Sequence, residues 1–167
     1  MASNNLTTSE RKVTGKKSKG AGARFELKTR HDLEKKGWIV CKWANNVEFE
    51  GELCPNGKLI PAKTKWMFTK QGPRPAGLGS GFPDFVAFRK VMGYVTTNNT
   101  PCPYEVIAVE SKMNGILSKD EKEKVEWLLE NDVFEVILVA SKGEKRGDIL
   151  YEQILKGGKR KENEKIN

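Results

Sequence analysis

Tyr104-Glu105-Val106-Ile107-Ala108-Val109-Glu110-Ser111-Lys112 is the stretch on which the reading of this chain turns. Four consecutive apolar residues, Val106 to Val109, predict a strand buried on both faces near the centre of a sheet. The strand then finishes on a carboxylate and an ammonium. Period-two alternation puts Glu110 and Lys112 on the same side of it. Charge at the end of a buried strand contradicts its surroundings, and such local conflicts mark functional sites.

Downstream, Ser118 to Glu130 reads as a helix. Ser118 and Glu121 have the spacing of a capping box, and Val125, Leu128 and Leu129 form an inward stripe. Phe134 to Ala140 is a second solidly apolar strand, and Ile149 to Ile154 is a weaker segment, either a last strand or a short helix. Upstream, Pro83 leads into a short strand, Asp84 to Phe88. Arg24 to Lys36 reads as a helix with Phe25, Thr29 and Leu33 on one face, closed by Gly37 as a C′ glycine. Glu26 falls on that same inward face. An unpaired carboxylate is costly there, so either a base such as Arg30 pairs with it or it faces a cleft that holds a cation.

Trp38 to Trp43 is expected to be a strand. Val47–Leu53 and Lys58–Phe68 are expected to form a hairpin around Pro55-Asn56-Gly57, since Asn-Gly is a strong turn signal. Counting outward from that turn sets Glu50 opposite Lys63, Glu48 opposite Lys65, Val47 opposite Trp66 and Leu53 opposite Ile60. Trp66 and Phe68 are thereby expected in the core rather than as base-stacking platforms. Gln71 to Gly81, with two prolines and four glycines, predicts a loop. The order of elements predicts an α/β domain with a mixed β-sheet flanked by helices and an inserted β-hairpin at 47–68.

The formal net charge of +8 is distributed unevenly. Residues 1–24 carry +5 and residues 156–167 carry +3, so the body between them sums to zero. A flexible basic arm over 1–20, a single domain over 21–155 and a basic tail over 156–167 are the expected organisation. Basic tails favour a nucleic-acid partner and also serve plain solubility. From Leu53 to Pro83 there is no acid, yet Lys58, Lys63, Lys65, Lys70 and Arg74 are present with Trp66 and Phe68 among them. A basic strip with aromatics suits a phosphate backbone and exposed bases.

The cysteines, Cys41, Cys54 and Cys102, are odd in number and widely spaced, so they are expected to be reduced and in or near the core. With His31 the lone histidine and no CxxC, a zinc site is not expected. No apolar run is long enough to span a membrane, and Met1 to Gly20 lacks the apolar region of a secretory signal. The expected location is cytoplasmic, with DNA.

Two carboxylates at the ends of neighbouring strands, Asp84 and Glu110, suit a hard Mg²⁺ or Mn²⁺ that keeps room for water and phosphate. A lysine two residues on, Lys112, can orient or activate a water and meet the phosphate. The set Pro83, Asp84, Glu110, Ser111 and Lys112 resembles the PD-(D/E)xK nuclease superfamily, the restriction-endonuclease-like fold. Gly22-Ala23-Arg24-Phe25-Glu26 opening a helix that ends at Gly37-Trp38 is similar to the start of archaeal-type Holliday junction resolvases, as is Gly79-Ser80-Gly81 before Pro83-Asp84. Leu117-Ser118 opening a helix resembles both the resolvases and the VRR-NUC branch. These segments cover roughly 21–43 and 79–140.

The resemblance implies catalytic roles for Asp84, Glu110, Lys112 and Glu26, and a metal held by Glu26, Asp84, Glu110 and the backbone carbonyl of Ser111. It also implies a homodimer acting on branched DNA in recombination or repair. DNA contacts are expected from Lys16, Lys17, Lys19, Arg24, Lys70, Arg74 and Ser80. A nuclease with another DNA target (repair, restriction or homing) and a non-catalytic DNA-binding module are the alternatives. The chain departs from the family in spacing: 57 residues lie between Glu26 and Asp84 and 25 between Asp84 and Glu110. It also has Glu121 where the helix after the lysine often carries a glutamine.

Overall fold

The computed structural model describes residues 8–50, 56–69, 71–78, 81–91, 101–145 and 147–161, apart from the side chains of 8–19, 65, 75–78 and 160–161. The fold is α/β. Its elements are α1 (Thr8–Lys35), β1 (Ile39–Lys42), β2 (Asn45–Glu50), β3 (Asn56–Pro61), β4 (Thr64–Thr69), β5 (Gly72–Leu78), β6 (Phe85–Lys90), β7 (Tyr104–Ser111), α2 (Lys119–Glu130), β8 (Val136–Lys142), β9 (Ile149–Leu155) and β10 (Lys159–Lys161). Six strands form one mixed sheet in the order β1-β6-β7-β8-β9-β10. Only β7 and β8 run parallel, joined through α2 as a parallel pair requires. The remaining neighbours are antiparallel.

Alternation along the two central strands divides the core between two layers. Ile107, Val109, Leu138 and Ala140 pack with Leu33 of α1 and with Trp38, Val40 and Phe85. Ala108, Ile137 and Val139 face the other way, onto Val125, Leu128 and Leu129 of α2. Ile107–Val109 and Ile137–Ala140 are therefore buried on both faces, as their lack of alternation predicts, whereas Val106, expected with them, is exposed near the start of its strand.

The last turn of α1 carries the expected chemistry. Phe25, Thr29 and Leu33 are buried. Gly37 adopts φ 82°, and the N–H groups of Gly37 and Trp38 donate to the carbonyls of Glu34 and Leu33, a Schellman closure. The helix nevertheless begins at Thr8, not at Arg24, so the stretch 8–20 expected as part of a flexible arm is helical. No proline interrupts it, and adding turns to a helix already docked through Phe25 and Leu33 needs no new nucleus. The segment expected as a basic tail likewise contains a strand, β10, paired to β9.

The hairpin region differs most from expectation. β2 pairs with β3 in the register Glu50↔Asn56, Glu48↔Lys58 and Val47↔Leu59, so Asn56-Gly57 is strand, not turn. The expected pairings of Glu50 with Lys63, Glu48 with Lys65 and Val47 with Trp66 do not form as cross-strand neighbours. Lys63 still reaches Glu48, at 2.8 Å. The turn and Leu53 lie outside the described residues. Gly57 has a packing reason to be glycine: a Cβ there would sit 2.2 Å from Nε1 of Trp127 on α2. Gly57→Ala is accordingly expected to lower stability by about 1–3 kcal/mol through overpacking, measured as a lower midpoint in urea with unchanged slope.

The expected second strand, Lys58–Phe68, breaks at Ala62-Lys63, and β4 pairs instead with β5, within the stretch expected as a loop. Pro73 and Pro75 are tolerated because the ribbon is two-stranded and all edge. Trp66 and Phe68 are exposed, not in the core.

Cys41 is exposed and Cys102 half-buried, both as free thiols, so the expected placement near the core fails for Cys41; Cys54 lies outside the described residues. No helix among the described residues is long and apolar enough to cross a membrane.

Candidate functional site

The antiparallel register of β6 and β7 pairs Phe85 with Val109. Extended one step, it sets Asp84 directly across from Glu110, where side chains share a face. The backbone N–H of Asp84 donates to Glu110 Oε2 at 3.1 Å, and the N–H of Ser111 donates to Asp84 Oδ2 at 3.0 Å. Each carboxylate is thus oriented by the other strand's backbone. Both are almost fully buried, at 6% and 5% exposure.

Two lysines complete the arrangement. Lys112 Nζ lies 3.1 Å from Glu110 Oε1 and donates to Glu121 Oε1. Lys42, the last residue of β1, lies 3.4 Å from Asp84 Oδ1 and 3.1 Å from Glu26 Oε2. The site is therefore two carboxylate–ammonium–carboxylate bridges, Glu26–Lys42–Asp84 and Glu110–Lys112–Glu121, joined where Asp84 meets Glu110. Glu26, Asp84, Glu110, Ser111, Lys112 and Glu121 all line one cavity of about 260 Å³. Arg30 pairs with Glu34 instead of Glu26.

Lys42 and Glu121 were not among the sequence candidates. Lys42 enters because β1 pairs with β6, setting Lys42 opposite Phe85 and beside Asp84; strand order is not written in local sequence. Glu121 does form the predicted capping box with Ser118. Its Oε2 takes the Ser118 N–H while its Oε1 takes Lys112, so one side chain both starts α2 and fastens it to the site.

The electrostatics of the pair are strained. Burial, and then the neighbouring charge of Asp84, push Glu110 up to about 8. Burial and the charge of Glu26 raise Asp84 as well, against the opposing Ser111 N–H and Lys42. Burial of the Lys112 ammonium works to lower its pKa, but the hydrogen bond to Glu121 and the charge of Glu110 outweigh it, and the net shift is upward. Lys42 is raised in the same way by Asp84 and Glu26 against its own desolvation. Both lysines therefore stay charged at neutral pH.

Four carboxylates face two ammoniums here, leaving two surplus negative charges when all are ionised. A divalent cation has the charge that cancels this surplus, and the all-oxygen donor set suits a hard ion. Each carboxylate oxygen of Asp84 and Glu110 has one partner and room to accept another. Asp84 and Glu110 fit such an ion on these grounds. Among the described residues, however, no three His, Cys, Asp or Glu side chains are gathered as a ready-made cage. Lys42 stands between Glu26 and Asp84, so Glu26 joins the site through an ammonium.

The other expected contacts are dispersed. Arg24 is exposed on α1 and lines a different groove with Lys28, His31 and Lys35. Arg74 is exposed on β5. Lys16, Lys17 and Lys19 lie in the first half of α1 with side chains outside the described set, and Lys70 and Ser80 lie outside the described residues. The chain matches no family model, and comparison with curated proteins and with solved structures finds no similar protein.

Proposed function

We propose that this chain is a Mg²⁺- or Mn²⁺-dependent endodeoxyribonuclease with a restriction-endonuclease-like core, acting on branched DNA as a homodimer. The observation that carries the reading is the buried pair Asp84–Glu110, held face to face by reciprocal backbone hydrogen bonds with the Lys112 ammonium 3.1 Å from Glu110. Buried like charges are costly unless a cation answers them, and a structural role alone would be met more cheaply by apolar residues.

Asp84 and Glu110 are the side chains that would hold the ion, with Glu26 at the rim. A bound divalent ion would neutralise charge on the phosphoryl oxygens and make a water nucleophilic. Lys112, kept charged by Glu110 and Glu121, donates hydrogen bonds to a phosphoryl oxygen or the attacking water and opposes charge that grows in the transition state. Its raised pKa supports an electrostatic and orienting role over proton abstraction. Lys42 holds Asp84 and Glu26 in register. The dimer and the branched substrate come from the resemblance to resolvases. An apolar row across β1, β6 and β7, with Ile39 and Val106 exposed and Phe88 half-buried between them, offers a surface on which two copies could pair.

The test is cleavage of four-way junctions, flaps and linear duplex with and without Mg²⁺. Asp84→Asn is expected to remove cleavage while leaving binding of the junction within about threefold, the asparagine keeping the acceptor for the Ser111 N–H. Equal cutting of linear duplex would remove the branched-DNA reading. Tight, salt-sensitive binding without metal-dependent cutting would leave a DNA-binding module instead.

A further inference from the structure

Among its described side chains, the β4–β5 ribbon is open on both faces. Trp66 and Phe68, two residues apart on one strand, share a face and are 59% and 84% exposed; Met67, on the opposite face, is 56% exposed. Arg74 lies across from Met67 and Pro73 across from Phe68. A two-stranded ribbon that buries neither face gains little stability for itself, so exposing its two largest rings on one side calls for a ligand. The charges of residues 64–78 are Lys65, Lys70 and Arg74, with no acid. That composition suits phosphate and opposes a basic or purely apolar partner.

The residues that flank the ribbon are tied beside the carboxylate cavity, which Gly81 and Phe82 line. Just before it, the N–H of Ala62 donates to the carbonyl of Ala44 at 2.8 Å; just after it, the N–H of Phe82 donates to the carbonyl of Asn45 at 2.9 Å. The N–H of neighbouring Trp43 donates to the carbonyl of Asp84. Gly81 makes this closure possible, since a Cβ there would lie 2.3 Å from the Asn45 carbonyl oxygen. Only five residues lie between Leu78, the end of the ribbon, and Asp84, a span of at most about 22 Å.

We propose that the β4–β5 ribbon grips unpaired nucleotides beside the cleavage site, Trp66 and Phe68 stacking on bases while Arg74 meets the backbone. Aromatic faces accept any unpaired base, whereas a paired base offers no free face to them. The inference rests on the nuclease reading for the meaning of the adjacent site and names the form of its substrate: DNA with a single-stranded segment.

The experiment measures binding by the full chain in EDTA, which separates it from cleavage. The probes are a 12-nucleotide oligo(dT), a blunt duplex and a fork with single-stranded arms. Trp66→Ala and Phe68→Ala are each expected to weaken binding to oligo(dT) and to the fork about tenfold, with less than a twofold change on the duplex, and Trp66→Phe to restore most of the loss. Arg74→Ala is expected to lower the salt slope by roughly one on the same probes. Unchanged affinity for oligo(dT), or an equal loss on the blunt duplex, would overturn the proposal. So would a shift of the Trp66→Ala protein in sedimentation without nucleic acid, which would assign the rings to contact between copies. A chain whose rings bind oligo(dT) but which never cuts would sink the nuclease reading and keep this one.

Discussion

Glu110→Gln is expected to remove DNA cleavage by on the order of a thousandfold while making the fold more stable at pH 8. The two effects have one cause. Several kcal/mol of transition-state stabilisation come from a metal centre, and each ~1.4 kcal/mol lost is tenfold in rate. The amide has the same shape and can still accept the Asp84 N–H, but it brings no negative charge to a divalent ion. Folding, by contrast, is relieved of a buried charge that faces Asp84. Initial cleavage rates and urea unfolding on the same preparation check both halves. If the variant cut at the parent rate, Glu110 would have no part in the chemistry; if it were less stable at pH 8, the carboxylate would be better compensated than its surroundings imply.

Addition of Mg²⁺ or Mn²⁺ to the parent protein is expected to raise the melting temperature, by little at pH 5 and by several degrees at pH 8. Glu110 titrates near its ordinary 4.5 when unfolded and at about 8 when folded. Between those values the native state holds more protons than the unfolded state, so stability falls as pH rises. The contribution of the protonated group is complete below about pH 4.5 and lost as pH climbs through 8. Over that window the loss is on the order of several kcal/mol, shared with Asp84, whose pKa is raised too. A cation that binds the ionised pair in the native state reverses the loss by mass action, and its effect grows with the ionised fraction. The pH-dependent part of the metal shift should vanish in Glu110→Gln. A metal shift of equal size at pH 5 and pH 8 would place the ion elsewhere.

These expectations draw on a candidate site of which Glu110 and Lys112 could be set on one side of a strand end from spacing alone. The apolar run Val106–Val109 could only be an interior strand, so the charges at Glu110 and Lys112 had to lie at its end, on one side. The Ser118–Glu121 box and the stripe Val125, Leu128 and Leu129 located α2 to within a residue, because capping and a 3.6-residue period are local properties. The inward face of α1 at Phe25, Thr29 and Leu33 was legible for the same reason. The hairpin was not. Asn56-Gly57 carries a turn signal, but packing of Gly57 against Trp127, some seventy residues away in sequence, claims that glycine for a strand. Once the turn moved, the register changed by seven residues, and Trp66 and Phe68 came out of the expected core onto a ribbon of their own.

Sequence by itself determined the central strands, α2 and the docked half of α1, the two-faced burial of those strands over Ile107–Val109 and Ile137–Ala140, and the candidacy of Asp84, Glu110 and Lys112, since all of these follow from periods and neighbours within a few residues. Tertiary structure alone decided that β1 lies beside β6 and so brings Lys42 to Asp84. It also decided that Glu121 fastens to Lys112 and that the flanks of the aromatic ribbon are tied beside the carboxylate cavity. Those facts depend on which distant segments meet, and that is settled by the packing of the whole sheet, where no local preference has a vote.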